Sequence, residues 1–217
     1  MSEKFKVLLV GRSGQGKTYT SRTLNHETTG LVNVENKPLP FKTKFKYHIR
    51  PKNYKEAYDA IIEYAKNPDI DCIYIDSFSA YTDMVLLEAR RTKKGFDTWQ
   101  MYNEEIGKLL DLIKKAPKHI LVTAHYDVIE NVDGNNEKAT KVKANEWKGL
   151  VEKEFTVVLF ADSKTDEKGK PAYWYNTYQE GTTAKCPPEL FEDIKVNNDG
   201  QYLVDKIKEF TGETVAA

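Results

Sequence analysis

A chain of 217 residues with 40% hydrophobic and 30% charged side chains fits one soluble α/β domain, residues 1–217, with room for a small appendage. Lys and Arg number 33 and Asp and Glu number 33, so there is no bulk positive field, and any hold on a polyanion must come from local patches. Cys72 and Cys186 lack metal-ligand spacing and suggest a reducing compartment, no apolar run reaches membrane-spanning length, and Lys4 and Lys6 break the apolar core a signal peptide needs. A cytoplasmic protein with no membrane partner is expected.

The first apolar run, Phe5 to Val10, leads straight into Gly11-Arg12-Ser13-Gly14-Gln15-Gly16-Lys17-Thr18, and Thr18 to Leu24 continues as a predicted helix. Strand, Gly-x-x-x-x-Gly-Lys-Thr and helix together make a phosphate-binding loop. Gly11, Gly14 and Gly16 let the backbone curl, so that N–H groups from Gly11 through Tyr19 can converge on phosphate oxygens, helped by the positive end of the helix. Lys17 is placed to reach the β- and γ-phosphates, and the Thr18 hydroxyl to ligate Mg²⁺. The competing reading is a Gly-rich turn that binds nothing, but every motif position is filled. A bound nucleoside triphosphate is expected, and the lack of a guanine-reading Asn/Thr-Lys-x-Asp motif favours ATP.

Gly30 to Glu35 reads as a second strand, followed by a Pro38/Pro40 turn. Phe41 to Ile49 alternates strictly, which predicts an edge strand with a basic face, and Asn53 to Lys66 has helical spacing stopped by Asn67-Pro68. Asp71 to Asp76 is a short apolar strand ending in an acid. Behind a phosphate loop such a strand-end Asp holds Mg²⁺ through its waters, although it could instead cap the next helix. Many such ATPases carry a glutamate directly after that Asp to activate water; here the place is Ser77. Glu35, at the tip of the second strand, is therefore the candidate base, unless it is a solvated turn residue.

A long helix after Ser79 is predicted to break near Lys93-Lys94-Gly95, and a second runs from Thr98 to Lys115. Between them Arg90, Arg91, Lys93 and Lys94, with Phe96 and Trp99 close by, offer cations for phosphates and rings for base stacking on single-stranded DNA. They could equally be a solvated helix face. His119 to Ala124 reads as a central parallel strand, with His125 or Thr123 as the polar sensor of a γ-phosphate. Asn131 to Asn145 is polar and rich in turn formers and reads as a mobile loop. Glu154 to Phe160 is a further strand, a turn at Asp166 to Gly169 leads into Ala172 to Tyr178 as a hairpin, and a helix from Gly200 to Phe210 closes the chain. Strands alternating with helices mean a mostly parallel sheet flanked by helices, with a C-terminal β-hairpin extension.

Gly11 to Thr18, Val32 to Glu35 before a Pro-rich turn, Ile73 to Ser77 and Val122 to His125 together resemble the core of RecA-like ATPases. The nearest likeness is to the small, core-only RecA-like ATPases of bacteriophages, some of which assist single-strand DNA annealing and recombination. Trp147 to Lys153 and Thr183-Ala184-Lys185 extend the resemblance over most of the chain. It implies an ATP- and Mg²⁺-dependent ATPase in the host cytoplasm. Glu35 is then the catalytic glutamate, and His125 stands where RecA proteins usually carry a coupling glutamine. Lys185 is implied as a cation delivered to the neighbouring subunit's γ-phosphate, in a homo-oligomer with nucleotide at the subunit boundary; otherwise it is an ordinary surface lysine. Two regions, roughly 79–99 and 127–148, correspond to DNA-facing loops, with a single-strand-binding protein as a further candidate partner. The lack of N- and C-terminal accessory domains argues against RecA-type filaments.

Two alternatives come from other classes. A nucleotide kinase also has a phosphate loop, but needs an Arg-rich lid to clamp two phosphorylated substrates, and this chain has only Arg12, Arg22, Arg50, Arg90 and Arg91. A strand intervening between the phosphate-loop strand and the Asp76 strand also favours the RecA-like layout. The other alternative is an assembly or switch ATPase that binds no DNA.

Overall fold

A computed structural model describes residues 4–215. Its centre is an eight-stranded sheet in the order β10-β9-β8-β1-β5-β4-β2-β3, comprising β1 (Lys6–Val10), β2 (Thr29–Asn33), β3 (Tyr47–Ile49), β4 (Cys72–Asp76), β5 (His119–Ala124), β8 (Val157–Thr165), β9 (Pro171–Asn176) and β10 (Lys195–Asn197). The six strands from β8 to β3 pair in parallel, and β9 and β10 add antiparallel at one end. This is the α/β sheet with a C-terminal strand pair that the alternating pattern predicts.

The apolar strands are buried on both faces because successive residues point opposite ways. From β1, Leu8 and Val10 join one core with Ile73, Ile75, Ile120 and Val122, while Val7 and Leu9 join the other with Leu31, Tyr74, Leu121 and Leu159. The first face is covered by α2 (Tyr54–Lys66), α3 (Phe78–Thr92) and α4 (Phe96–Lys115), and the second by Leu24 and by α5 (Gly200–Phe210) through Leu203, Val204 and Ile207. Local signals start these helices where the chain turns off the sheet. The Asn53 side chain accepts from the Glu56 N–H at 3.0 Å, Ser77 Oγ from the Ala80 N–H at 3.2 Å, and Asp199 Oδ1 from the Tyr202 N–H at 3.0 Å.

Several expectations need correcting. Of the alternating stretch from Phe41 only Tyr47–Ile49 is a strand, at the sheet edge as anticipated. Phe41 and Phe45 turn inward instead, with the Phe45 ring 4.5 Å from His26, so the alternation serves a covering loop rather than a ladder. The stretch Asn131 to Asn145, expected as a mobile loop, instead carries the turn and second strand of a hairpin, β6 (Tyr126–Glu130) with β7 (Asn136–Thr140), turned at Gly134 with φ +78°. β7, Asn-Glu-Lys-Ala-Thr, lacks the apolar alternation that would have announced it. The helix after the phosphate loop is a single turn, α1 (Lys17–Thr20), continued by a 3₁₀ turn over Ser21–Thr23. α4 begins at Phe96 rather than Thr98, β8 at Val157 rather than Glu154, and β10 was not foreseen.

Candidate active site

Parallel sheets present ligand sites beyond the carboxyl ends of their strands, and here the loop after β1, Glu35 after β2, Asp76 at the end of β4 and His125 after β5 meet in one cleft of about 540 Å³. The loop curls because Gly14 and Gly16 hold φ +83° and +78°, a region closed to most side chains. A Cβ on Gly11 would lie 2.8 Å from Ala161 Cβ, so the loop also needs its first glycine for close approach. Gln15 Oε1 accepts from the Arg12 N–H across the turn. With only one α-helical turn behind it, the loop offers an anion chiefly its own amides and Lys17.

Lys17 is buried, and its Nζ donates to the carbonyls of Gly11 at 2.7 Å and Arg12 at 2.8 Å. Burial pushes its ammonium down to about 8, against the raising influence of Asp76 and Glu35. Thr18 Oγ1 donates to Asp76 Oδ2 at 2.7 Å, and Thr123 Oγ1 donates to Asp76 Oδ1. Burial pushes the Asp76 carboxyl up, opposed by those two hydroxyls. The buried Asp76 carboxylate and the Thr18 hydroxyl beside it are hard oxygen donors that fit Mg²⁺.

Glu35 sits next to this group. Its N–H donates to the Asp76 carbonyl at 2.9 Å, Ser77 Oγ donates to its Oε1 at 2.7 Å, and Lys37 Nζ lies 2.7 Å from its Oε2. Burial pushes the Glu35 carboxyl up, but the hydrogen bonds from Lys37 and Ser77 and the charges of Lys37 and His125 outweigh it, so the group lies below its ordinary value and is ionised at neutral pH. His125 Nδ1 donates to the Gly11 carbonyl at 3.2 Å, and the His125 N–H donates to Ser79 Oγ. Burial and the neighbouring Lys17 charge hold the ring below its usual value, hence neutral near pH 7, with Nε2 as an acceptor.

Sequence reasoning named the loop, Asp76, Glu35, Thr123 and His125, and the structure brings them together. It missed Lys170, Pro171 and Tyr173 from the β8–β9 hairpin, which line the cleft together with Pro38 and Pro40. The Tyr173 ring rests so closely on the loop that a Cβ on Gly16 would meet it at 2.8 Å. Tyr19 lies 5.9 Å from Tyr173, centroid to centroid, and carries the Arg22 guanidinium 4.0 Å over its ring. No local signal links Tyr173 to the loop; a chain-wide contact does. Lys37, only two residues from Glu35, could have been suspected from its charge alone.

The other predicted residues lie outside the cleft. Lys185 is exposed and pairs by backbone with Val158. Burial lowers its pKa, against the raising charges of Glu152 and Glu154. Arg90, Arg91, Lys93 and Lys94 sit exposed at the α3–α4 turn beside Phe96, 80% exposed, with Arg91 paired to Glu88. Lys141 and Lys143, around the β6–β7 hairpin, pair with Asp127 and Asp83. Among the described residues no helix is long and apolar enough to cross a membrane.

The lowered Lys17 pKa carries a pH signature. Its ammonium is charged below about 8 and neutral above it, so kcat/KM for ATP should fall about tenfold per pH unit above that point. Bound phosphate favours the charged form and raises the pKa in the complex, so kcat at saturating ATP should hold to higher pH. Initial rates between about pH 7 and 9.5 check this; kcat and kcat/KM falling together would contradict it.

A family model described as an AAA domain matches residues 3–187 of the chain. No match is found among curated proteins.

Proposed function

The chain belongs to this AAA-domain family of phosphate-loop ATPases, and on that premise we propose that it is a RecA-like enzyme that hydrolyses Mg²⁺-ATP and acts on single-stranded DNA. The observation that carries the hydrolytic reading is the junction at the strand ends, where Thr18, Asp76, Glu35 and Thr123 lie within one hydrogen-bonded chain beside Lys17. β5 stands between β1 and β4, an order that supports the RecA-like reading, and Glu35, two residues past the end of β2, lines the same cleft as the phosphate loop.

In this reading Lys17 leaves the Gly11 and Arg12 carbonyls for phosphate oxygens, and Thr18 and Asp76 hold the metal. Mg²⁺ supplies neutralisation of phosphate charge when bound. Glu35, already ionised, accepts a proton from water once Lys37 moves aside. His125 gains a proton as triphosphate charge arrives and donates from Nε2, while Nδ1 keeps its hold on Gly11. Tyr19 and Tyr173 offer ring faces to the base. Lys185 is exposed and outside its own chain's cleft, which supports delivery to a neighbouring subunit's nucleotide.

For DNA, the support is the exposed basic turn from Arg90 to Lys94 next to Phe96 and Trp99. Labelled ATP incubated with the protein should yield ADP and phosphate, faster with single-stranded DNA. The stimulation should shrink in an Arg90→Ala/Lys93→Ala/Lys94→Ala variant. Phosphorylated nucleoside as product would point to a kinase, and hydrolysis indifferent to DNA to an assembly ATPase.

A further inference from the structure

The segment after residue 187 lies beyond the family match, yet it is built into the phosphate loop. Asn198 is 4% exposed, and its Nδ2 donates to the Gly16 carbonyl at 3.1 Å and to Thr20 Oγ1 at 2.9 Å. Its own Oδ1 and main-chain carbonyl accept from Arg22 Nη1 at 3.0 and 2.7 Å. The same Arg22 lies over the Tyr19 ring. Around this point the contact is tight. Tyr175 OH bonds Thr20 Oγ1 at 2.5 Å, the Gly200 N–H donates to Thr23 Oγ1 at 2.8 Å, and a Cβ on Gly200 would lie 2.7 Å from the Thr20 carbonyl.

The consequence follows from peptide geometry. In a trans peptide the carbonyl and the following N–H point in opposite directions. A Gly16 carbonyl held by Asn198, by Thr20 Oγ1 and by the Thr20 N–H therefore turns the Lys17 N–H away from them, toward the mouth of the loop. Gly16, with no side chain and φ +78°, has little torsional preference of its own to keep that plane fixed. We propose that Asn198 is a positioning residue for triphosphate binding, fixing the Gly16–Lys17 peptide so that its N–H meets phosphate. Asn198, from beyond the family match, thus supports the phosphate loop, an inference that rests on the reading of the cleft as a triphosphate site.

The test compares the full chain with Asn198→Ala, Asn198→Asp, Asp199→Ala and Lys17→Ala, titrating Mg²⁺-ATP and inorganic tripolyphosphate by calorimetry. Asn198→Asp keeps an oxygen for Arg22 but loses the donor to Gly16, which separates the two contacts. The Asp199 side chain caps α5 through the Tyr202 N–H and not through the loop, so Asp199→Ala reports what a weakened α5 does while Asn198 keeps its donor to Gly16. Both Asn198 variants should weaken ATP and tripolyphosphate alike, by roughly tenfold to a hundredfold, the worth of a hydrogen bond to a charged group. Their kcat at saturating ATP should stay within about threefold of the parent, and Asp199→Ala affinity within about twofold. Parent-like affinity in Asn198→Asp, or an equal loss in Asp199→Ala, overturns the inference. If the parent binds neither ligand, or Lys17→Ala binds as the parent does, the triphosphate reading itself fails.

Discussion

Lys17→Ala is expected to bind Mg²⁺-ATP at least about thirtyfold more weakly than the parent and to show no measurable hydrolysis. Removing one partner of a buried charge pair typically costs about 2–5 kcal/mol, because the remaining charge is left uncompensated. The side chain is the buried cation of the loop, and it donates to the Gly11 and Arg12 carbonyls. A folding defect could mimic the result, so Lys17→Met serves beside it. Burial disfavours the Lys17 ammonium, as its lowered pKa shows, and that cost offsets the two lost hydrogen bonds. The melting temperature of empty Lys17→Met should accordingly stay within about 4 °C of the parent. Saturating ATP at about a hundred times Kd stabilises the parent by about 2.7 kcal/mol, and no such rise should appear in either variant. Retained turnover in purified Lys17→Ala would remove the basis of the ATPase reading.

Glu35→Gln should lower turnover by about 10²–10⁴-fold, the usual cost of losing a general base, while binding persists. The amide still accepts from Ser77 but takes no proton from water. Its exposed pairing with Lys37, whose side chain is 75% exposed, contributes little to stability. Loss of a carboxylate near the phosphates should leave ATP affinity equal or higher. Single-turnover kinetics with separate nucleotide titrations distinguish these effects. If turnover is unchanged while Asp76→Asn abolishes it, the base lies elsewhere and Glu35 only shapes the turn. The same variant tests delivery in trans. Mixed with Lys185→Ala subunits, it should recover activity at boundaries where an intact Glu35 meets a neighbour's intact Lys185. A rate per subunit that stays flat on dilution, with no recovery on mixing, would place Lys185 outside catalysis.

Residues Gly11 to Thr18 determined the phosphate loop from sequence alone, because each position answers a local demand of backbone curvature, cation or hydroxyl. Continuous apolar runs ending in Asp76, and in Ala124 just before His125, determined the parallel strands in the same way, since a strand covered on both faces has no polar side to interrupt it. Periodicity failed where tertiary packing reuses a pattern. Phe41 and Phe45 alternate like a strand yet cover a core, and the polar β7 pairs with β6 without an apolar signature of its own. Only the tertiary structure decided what surrounds the loop. Tyr173 leans on Gly16 and Asn198 holds the Gly16 carbonyl, joined through the antiparallel pairing of β8, β9 and β10 rather than by spacing along the chain. Ser77, brought to Glu35 by the parallel pairing of β2 with β4, and Lys37, its near neighbour in the chain, together set the charge state of Glu35. Such contacts depend on which strand ends converge, and convergence is a property of the sheet order, which no local run of residues encodes.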